Sequence, residues 1–445
     1  MIVTDKSFTE LKALFPEIDM EDGSGESNPY GNSGYVIVYP KTEEEIVSLL
    51  KYANSNGKKI SIISGGTKRG FGGLVEYFDI LLSLKNYKGV VEHTVGDMTL
   101  TVRPGTTIKE LQDYLAKTNQ KISLDPAWPE YATIGGVIAS NESGPKRLRY
   151  GSARDIVIGL RVVYPDGTVI RSGGKVVKNV AGYDMNKLFI GSMGTLGVLS
   201  EITFKLLPLP KYESLVLLSF SEGSENEIKS FAVKLLDSIL EPVSVELLNP
   251  SLSKRLINQD SYTLALSFED VESSVHNQEE FVKNNLQPTG TNLQILPQEE
   301  ARLFWDKFSR IAPNGVTTEV NSNNQVEAAL KVGVVNLDVL QVLEACKQLQ
   351  DSINVKIEAH GGLGHGLCQI NLSGESDNIV TAIQKLRESV TQLGGYAVVT
   401  HLPYALRLKV DVWGEKPSYF ALLEGIKEKV DPKKVLNSKR FVGGI

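Results

Sequence analysis

The sequence predicts an α+β protein of two domains, and three observations support this fold class. The chain has 445 residues, which is more than one ordinary hydrophobic core accommodates. Its first half contains three separate glycine-rich loops. Its second half twice repeats the order β-α-β-β-α-β, which is that of the ferredoxin-like fold. We therefore predict a first domain over residues 1–210, a second over 211–400, and a C-terminal segment over 401–445 that returns to the first domain.

Composition restricts the classes of function. Hydrophobic residues make up 41% and charged residues 22% of the chain, as in ordinary globular proteins. The net charge of −6 and the lack of a basic tract argue against nucleic-acid binding. Cys346 and Cys368 are too few to ligate an iron–sulfur cluster and indicate a reducing compartment. Because there is no signal-like N-terminus and no run of about 18 apolar residues, we expect a cytoplasmic protein that reaches a membrane only through a partner.

The first half begins with a predicted βαβ unit. A strand over 35–40 precedes Thr42–Glu45, the capping-box start of a helix that ends at Gly57, and a strand over 59–64 returns. Further on, Pro165-Asp-Gly167 predicts a hairpin turn. Similar patterns predict the remaining strands at 80–84, 89–95, 99–105, 156–164, 168–171 and 197–207, and a capped helix at 107–118.

Glycine-rich loops occur at Ser64–Gly73, Ala132–Asn141 and Gly191–Gly197. Glycine lets the backbone approach a ligand closely, and a helix beginning at Gly135-Gly136 would direct unpaired N–H groups at a diphosphate. For any one loop a plain turn is the alternative, but a long phosphate-bearing cofactor explains all three. No G-x-G-x-x-G opens a helix and no Walker loop is present, which disfavours nicotinamide nucleotides and ATP.

Six motifs occur in order between residues 35 and 210: Ser64–Thr67, Val102–Gly105, Thr133–Gly136, Arg149–Gly151, Lys178–Asp184 and Gly191–Gly197. Together they resemble the FAD-binding domain of the vanillyl-alcohol oxidase/p-cresol methylhydroxylase (PCMH) superfamily. The resemblance implies a PCMH-type α+β domain of two subdomains that binds extended FAD, with a ferredoxin-like cap domain over the isoalloxazine ring. Covalent members often carry His where this chain has Thr67, so we expect non-covalent FAD.

The resemblance also assigns cofactor-binding residues. The diphosphate would lie between the first two loops, where Lys68 either assists or is a solvated loop charge. Lys178, Asn179 and Tyr183 would support the flavin ring. The expected FAD-binding residues are Ser64, Gly65, Gly66, Thr67, Lys68, Gly70, Phe71, Pro104, Gly105, Asp125, Pro126, Thr133, Ile134, Gly135, Gly136, Ala139, Ser140, Gly144, Tyr150, Gly151, Gly197 and Ile202.

Apolar periodicity divides the second half into eight strands and five helices. Trp305 and Trp413 are expected to pack, whereas Arg407 and Lys409 are predicted to alternate on a strand that could face a pocket. The strands are predicted at 214–220, 243–248, 262–268, 293–296, 328–335, 355–359, 367–372 and 396–400, and the helices at 225–240, 273–286, 299–310, 337–350 and 379–393.

Oxidation of a 2-hydroxy acid by flavin requires a base for the hydroxyl group, a cation for the carboxylate and a dry pocket. His360 is the candidate base. The alternative is that His360 has no catalytic role and is a polar residue that ends a strand. Lys331 is the candidate cation. The alternative is that Lys331 faces solvent and binds no substrate. Catalytic relatives often carry a metal-binding H-x-G-D-G-N-x-H motif. Here His365 follows His360 by five positions rather than seven and the acidic residue is missing, so we predict no metal site.

Within the superfamily, the tail segments Asp411–Gly414 and Asp431–Ile445 resemble the E subunit of bacterial glycolate oxidases. This chain has Asn437-Ser-Lys-Arg440 where those chains have an N-P-G-R-F-type segment. The resemblance implies an FAD-binding subunit that takes part in oxidising glycolate to glyoxylate, with a second flavoprotein subunit and an iron–sulfur subunit as partners. A stand-alone 2-hydroxy-acid dehydrogenase of the D-lactate type and a scaffold subunit are the alternatives.

Overall fold

Four β-sheets organise the described part of the chain, which in this computed structural model comprises residues 2–25, 28–175, 182–317 and 325–445. The strands are β1 (Asp19–Asp22), β2 (Ser33–Tyr39), β3 (Ile60–Ile63), β4 (Tyr77–Ser83), β5 (Val90–Thr94), β6 (Thr99–Val102), β7 (Gln120–Lys121), β8 (Val157–Val163), β9 (Val169–Gly173), β10 (Val198–Lys205), β11 (Leu207–Pro208), β12 (Tyr212–Phe220), β13 (Ser244–Leu248), β14 (Tyr262–Asp270), β15 (Asn292–Pro297), β16 (Gln325–Gly333), β17 (Val355–Gly362), β18 (Leu367–Glu375) and β19 (Tyr396–His401).

The α-helices are α1 (Ile2–Leu14), α2 (Glu43–Asn56), α3 (Ile108–Ala116), α4 (Ile134–Ser140), α5 (Arg147–Tyr150), α6 (Ala153–Ile156), α7 (Asn186–Phe189), α8 (Glu225–Leu236), α9 (Pro250–Ile257), α10 (Glu272–Phe281), α11 (Gln298–Phe308), α12 (Val339–Ser352), α13 (Ser376–Gln392), α14 (Tyr404–Arg407) and α15 (Phe420–Val430). Short 3₁₀ turns cover Leu84–Asn86, Asn336–Asp338 and Val442–Gly444. A π-helical turn covers Val282–Leu286.

The first sheet has the strand order β1-β2-β4-β3, and β2, β4 and β3 are parallel. The predicted βαβ unit is β2-α2-β3, although β4 lies between its two strands. Helix α2 begins as predicted, because the Glu45 N–H donates to Thr42 Oγ1 at 3.2 Å. It ends at Gly57, whose φ of 67° suits glycine. Ile46 and Ala53 on its inner face are fully buried.

The second sheet, β5-β6-β10-β8-β9, is antiparallel throughout. The predicted hairpin is β8-β9, and the predicted helix α3 carries a complete capping box between Thr107 and Glu110. Val163 and Val198, from the second sheet, pack in the hydrophobic core of the first. The two small sheets of the first domain are therefore in direct contact.

The eight-stranded sheet has the order β15-β12-β14-β13-β17-β18-β16-β19. The second half has the predicted β-α-β-β-α-β order, and the first half has the same order with the additional helix α9 between β13 and β14. The antiparallel pair β13-β17 joins the halves. One face packs on α8, α12 and α13, which share a core with residues such as Leu247, Ala359, Ile370 and Leu330. The opposite face of the second half is turned toward the first domain. The predicted domain boundaries at residues 210 and 400 stay predictions.

Two expectations about local structure were wrong. Helix α8 ends at Leu236 rather than Leu240, so that Ile239, which the predicted helix included, lies beyond its end and is 84% exposed. Arg407 and Lys409 do not lie on a strand, because Arg407 ends the short helix α14. The buried Arg407 guanidinium donates to the carbonyl groups of Tyr30 and Gly72. Among the described residues, no helix combines the length and apolarity needed to cross a membrane.

Candidate functional site

Two adjoining cavities lie at the glycine-rich loops, and the larger of them extends to the large sheet. The smaller, of about 100 Å³, is enclosed by all three loops, and we term it the loop cavity. The larger, of about 730 Å³, lies between the first domain and the eight-stranded sheet, and we term it the cap cavity. Lys68 and Ser140 line both. An elongated ligand can therefore occupy the two cavities together.

Backbone groups form much of the loop cavity. Within the described part of the chain, the consecutive N–H groups of Gly65, Gly66, Thr67 and Lys68 donate to no protein acceptor. Such a run of free N–H groups suits an anion, and a diphosphate in particular. Helix α4 offers a ligand fewer free N–H groups than the sequence indicated. The N–H groups of Ile134 and Gly135 donate to the carbonyls of Thr106 and Pro104 at 2.8 and 2.9 Å.

The two glycines that begin α4 differ in what surrounds them. A Cβ added at Gly135 would lie 2.5 Å from Pro104 Cβ, so this glycine is required by packing. A Cβ added at Gly136 would meet only Thr133 Oγ1, at an ordinary 3.4 Å, while Gly136 itself lines the loop cavity. Of the pair, Gly136 is therefore the position where a side chain would exclude a ligand rather than disturb the fold.

The predicted FAD-binding residues divide into three groups. Those lining the loop cavity are Ser64, Gly65, Gly66, Thr67, Lys68, Pro104, Thr133, Gly135, Gly136, Ala139, Ser140 and Gly197. Those lining the cap cavity are Lys68, Phe71, Asp125, Pro126, Ser140, Gly144 and Tyr150. Gly70, Gly105, Ile134, Gly151 and Ile202 line neither. Packing explains Ile202, which is buried in the second sheet's core, and Gly105, where a Cβ would lie 2.1 Å from the Leu84 carbonyl oxygen.

Side chains, in contrast, line the sheet wall of the cap cavity. His360, Gln369 and Lys331 lie directly opposite one another on the adjacent strands β17, β18 and β16. All three line the cavity, as does Asn371, two residues further along β18. Side chains alternate between the faces of a strand, so the neighbours Cys368 and Ile370 enter the helix-covered core instead. Strand pairing thus places the two predicted catalytic residues, His360 and Lys331, in one transverse row.

A buried carboxylate, Glu246 on β13, orients His360. His360 Nδ1 lies 2.7 Å from Glu246 Oε2, and His365 Nε2 lies 3.4 Å from Oε1. Burial alone would raise the pKa of Glu246, but its interactions with His360 and His365 outweigh burial and hold that pKa below its usual value. An ionised carboxylate only accepts hydrogen bonds, so the proton lies on His360 Nδ1. In the neutral ring Nε2 then carries a lone pair and is available as a base.

Lys331 is a partly buried cation whose ammonium group forms no ion pair with a carboxylate of the described residues. Burial, together with the positive charges of Arg147 and Lys68, lowers the pKa of Lys331 to about 8, although the charge of Glu142 acts in the opposite direction. Glu142 itself is paired with the ammonium group of Lys68 at 2.7 Å. Lys331 therefore offers the cap cavity a positive charge that is not engaged in an ion pair, as the carboxylate of a small acid requires.

An ionic cluster joins the two domains at another part of the cap cavity wall. Glu269 of β14 accepts hydrogen bonds from Tyr150 at 2.7 Å and from the ammonium groups of Lys121 and Lys146. Burial would raise the pKa of Glu269, but Lys146 and Lys121 hold it at about 2. Nearby, burial raises the pKa of Asp125 to about 6. The cluster fixes the large sheet against the first domain and keeps this wall polar.

Sequence reasoning missed Glu246, Gln369 and Asn371. The available signal was a polar residue at every second position of an otherwise apolar strand, as in the run from Ser244 to Leu248. Of the other predicted residues, Lys178 and Asn179 lie outside the described residues, and Tyr183 is 90% exposed. Among the described residues, no three His, Cys, Asp or Glu side chains are placed to hold a metal ion.

Comparison with known proteins identifies the first domain. Residues 35–173 match the family of FAD binding domains. The protein is a flavoprotein. Over 98% of its length the chain also superposes on 96% of p-cresol methylhydroxylase, with a TM-score of 0.77 and 16% identity. The flavoprotein therefore has the α+β fold of that superfamily, and the predicted resemblance is confirmed.

Curated relatives of this flavoprotein include proteins named for glycolate and for D-lactate. The chain is 26% identical to the glycolate oxidase subunit GlcD of Bacillus subtilis, over 90% of this chain and 87% of that protein. It is 30% identical to the mitochondrial cytochrome-type D-lactate dehydrogenase of Arabidopsis thaliana, over 60% of this chain and only 48% of the plant protein. It is 40% identical to the glycolate oxidase subunit GlcE of Escherichia coli over 131 residues, which are 29% of this chain and 37% of that one.

The residues present fit FAD. The free N–H groups of Gly65–Lys68 suit its diphosphate, and Ser64 Oγ and Thr133 Oγ1 at the same cavity are buried hydroxyls without a partner among the described residues. The cap cavity, at about 730 Å³, is within the range of cofactor and ligand sites. The loop cavity is thus suited to the diphosphate of FAD and the cap cavity to its ring.

Proposed function

We propose that this flavoprotein oxidises a small 2-hydroxy acid of the glycolate or D-lactate class, as the FAD-binding subunit of a glycolate oxidase-type complex. The observation that carries the proposal is the row of His360, Gln369 and Lys331 on the cavity-facing side of the large sheet. His360, a base, and Lys331, an unpaired cation, lie on the two strands that flank the strand of Gln369. They match the hydroxyl and carboxylate groups of such an acid.

Each residue has a defined part in the proposed reaction. Lys331 binds the substrate carboxylate, and His360 Nε2 takes the proton of the hydroxyl group while the Cα–H bond breaks and the C–O bond becomes C=O. Glu246 keeps the Nδ1 proton in place and stabilises the imidazolium ion that forms. The apolar rings of Phe308 and Trp305 line the cavity and help to exclude water. Bound FAD supplies the acceptor for the hydride from Cα.

The proposed partners are a second flavoprotein subunit and an iron–sulfur subunit that carries electrons onward. The relatives named GlcD and GlcE support a multi-subunit arrangement. Cys346 and Cys368, the two cysteines of the chain, are both buried, so this chain supplies no exposed thiol ligand. A cytoplasmic location stays a prediction.

A stand-alone dehydrogenase of the D-lactate type is the second candidate. It is favoured by one specific observation, namely that His360, Glu246 and Lys331 all come from this chain and line or support one cavity. The two candidates differ in whether the isolated, FAD-loaded chain turns over its substrate.

Anaerobic titration with glycolate and with D-lactate tests the proposal. We expect one of these acids to bleach the flavin absorbance, alone or only after co-expression with the two proposed partners, and Lys331→Met to abolish the bleaching. Lys409→Met, which removes an exposed lysine outside the cavity, is the matched control. If neither acid reduces the flavin in either form, the proposed substrate class is wrong.

A further inference from the structure

The C-terminal segment returns to the glycine-rich loops after α15. Val435 and Leu436 are fully buried beside β3. The Ile60 N–H donates to the Val435 carbonyl at 2.8 Å, and the Asn437 N–H donates to the Ile60 carbonyl at 2.9 Å. The segment thus pairs in parallel with the edge of the first sheet. Because the first glycine-rich loop leaves that same strand, the residues after Leu436 lie beside the loop.

A buried ion pair anchors this segment. Lys427 Nζ donates to Asp431 Oδ2 at 2.7 Å, to the Thr195 carbonyl at 2.7 Å and to the Leu436 carbonyl at 3.0 Å. Asp431 in turn accepts from the N–H groups of Val435 and Leu436, both at 2.9 Å. The ammonium group and the carboxylate are therefore fully hydrogen-bonded, which a buried ion pair requires. They fix the segment against the third loop, which contains Thr195.

Asn437 and Arg440, which we term the tail clamp, hold the loops themselves. Asn437 Oδ1 accepts from the Ile62 N–H at 2.9 Å, and its Nδ2 donates to the Met193 carbonyl at 2.7 Å. Both clamp residues line the loop cavity, yet both lie outside residues 35–173. The guanidinium group of Arg440 donates to three carbonyls around the first loop, those of Ile62 (3.3 Å), Lys68 (3.2 Å) and Phe71 (3.4 Å).

The clamp also brings a buried positive charge to the loop cavity. Burial and the neighbouring Arg69 lower the pKa of Arg440 to about 10, so the group is still charged at neutral pH. No carboxylate pairs with Arg440 in the part of the chain that the structure describes, and the nearby Lys68 is already paired with Glu142. A buried cation without a counter-ion is unfavourable, and a diphosphate in the adjoining cavity would supply the missing negative charge.

We propose that the tail clamp is part of the FAD site, so that docking of the C-terminal segment and binding of the FAD diphosphate stabilise each other. The clamp shapes the loop whose residues with free N–H groups line the cavity, and the diphosphate neutralises the clamp's buried charge. Such coupling between two sites is reciprocal. Loss of the clamp must weaken FAD binding, and loss of FAD must loosen the segment.

Amide hydrogen exchange of the wild-type chain tests whether FAD binding stabilises the C-terminal segment. We expect FAD, added to apoprotein, to slow exchange over residues 431–441 at least tenfold, together with exchange over the loop at 64–71. Slowing at 64–71 with no change at 431–441 would overturn the proposal. This measurement needs no variant and no substrate, so it does not depend on the proposed reaction.

Flavin-fluorescence titration of apoprotein tests whether the tail clamp strengthens FAD binding. Arg440→Met should weaken FAD binding at least tenfold. Arg440→Lys, which keeps the charge but has one donor nitrogen in place of three, should fall between Arg440→Met and wild type. Lys429→Met removes a positive charge from the exposed side of α15 and should change the dissociation constant less than twofold. A folded Arg440→Met protein that binds FAD as tightly as wild type would contradict the proposal.

Discussion

The loop cavity and the cap cavity meet at Lys68 and Ser140, but they are built in opposite ways. The loop cavity depends on backbone groups and on glycines that leave room for a ligand. The cap cavity depends on side chains that strands β13, β16, β17 and β18 bring together from positions far apart in the chain. A backbone-built site leaves a local signature in composition, whereas a side-chain site on a sheet exists only once the strands are paired.

The largest expected effects are those of substitutions at Gly136, which leaves room for the ligand, and at Gly135, which is required by packing. Gly136→Val should give a folded protein without FAD, because the added side chain enters the loop cavity and meets little else. Gly135→Ala should instead lower the free energy of unfolding, since its Cβ would lie 2.5 Å from Pro104 Cβ. Flavin absorbance per chain and thermal unfolding distinguish the two. A Gly136→Val protein with one FAD per chain would show that the diphosphate lies elsewhere.

The next effect concerns the side-chain site. His360→Gln should slow flavin reduction by the substrate by about 10²–10⁴-fold, the usual contribution of a general base, while FAD content stays unchanged. Stopped-flow absorbance measures the reduction rate. His276→Gln, at a half-exposed histidine of α10, is the control and should leave that rate unchanged. Equal rates in wild type and His360→Gln would exclude His360 as the base.

The charge of Lys331 predicts a pH dependence. With a pKa of about 8, below its usual 10.5, the ammonium form is present below pH 8 and is lost as pH rises through 8. Carboxylate binding should therefore weaken, and KM should rise up to about tenfold per pH unit above 8. Steady-state kinetics between pH 6 and 10 check this. A KM that stays constant to pH 10 would mean that another group binds the carboxylate.

A smaller consequence follows from Thr67, which lines the loop cavity. The sequence resemblance aligns Thr67 with the histidine that often holds the flavin in covalent members. Denaturation should release all the FAD, because a threonine hydroxyl cannot form the histidyl bond. Absorbance of the supernatant and of the precipitated chain measures the division. Flavin retained in the precipitate would refute non-covalent binding.

The smallest expected effect is that of chelators, which should leave flavin reduction unchanged. Glu246 is already engaged by His360 and His365, and the described residues hold no group of three ligands suited to a metal. Activity measured before and after dialysis against EDTA is the check. Loss of activity that zinc or manganese restores would establish a metal site.

The sequence alone predicted most of the strands, many of the helices, the repeat in the second half and the three glycine-rich loops. These features depend on local rules, namely apolar periodicity, capping boxes and the freedom of glycine. Where local rules failed, tertiary contacts explain the outcome. The N–H groups of Ile134 and Gly135 are taken by Thr106 and Pro104, and Arg407 is drawn to the carbonyls of Tyr30 and Gly72.

Only the tertiary structure decided which polar side chains act together. Glu246 and His360 are 114 residues apart, and no local pattern links them. Antiparallel pairing of β13 with β17 brings them within 2.7 Å. The same holds for Arg440, whose partners Ile62, Lys68 and Phe71 belong to the opposite end of the chain. The spacing of residues in the sequence indicates which side chains share one face of a strand or helix. Strand register and the return of the C-terminal segment determine which residues those side chains contact.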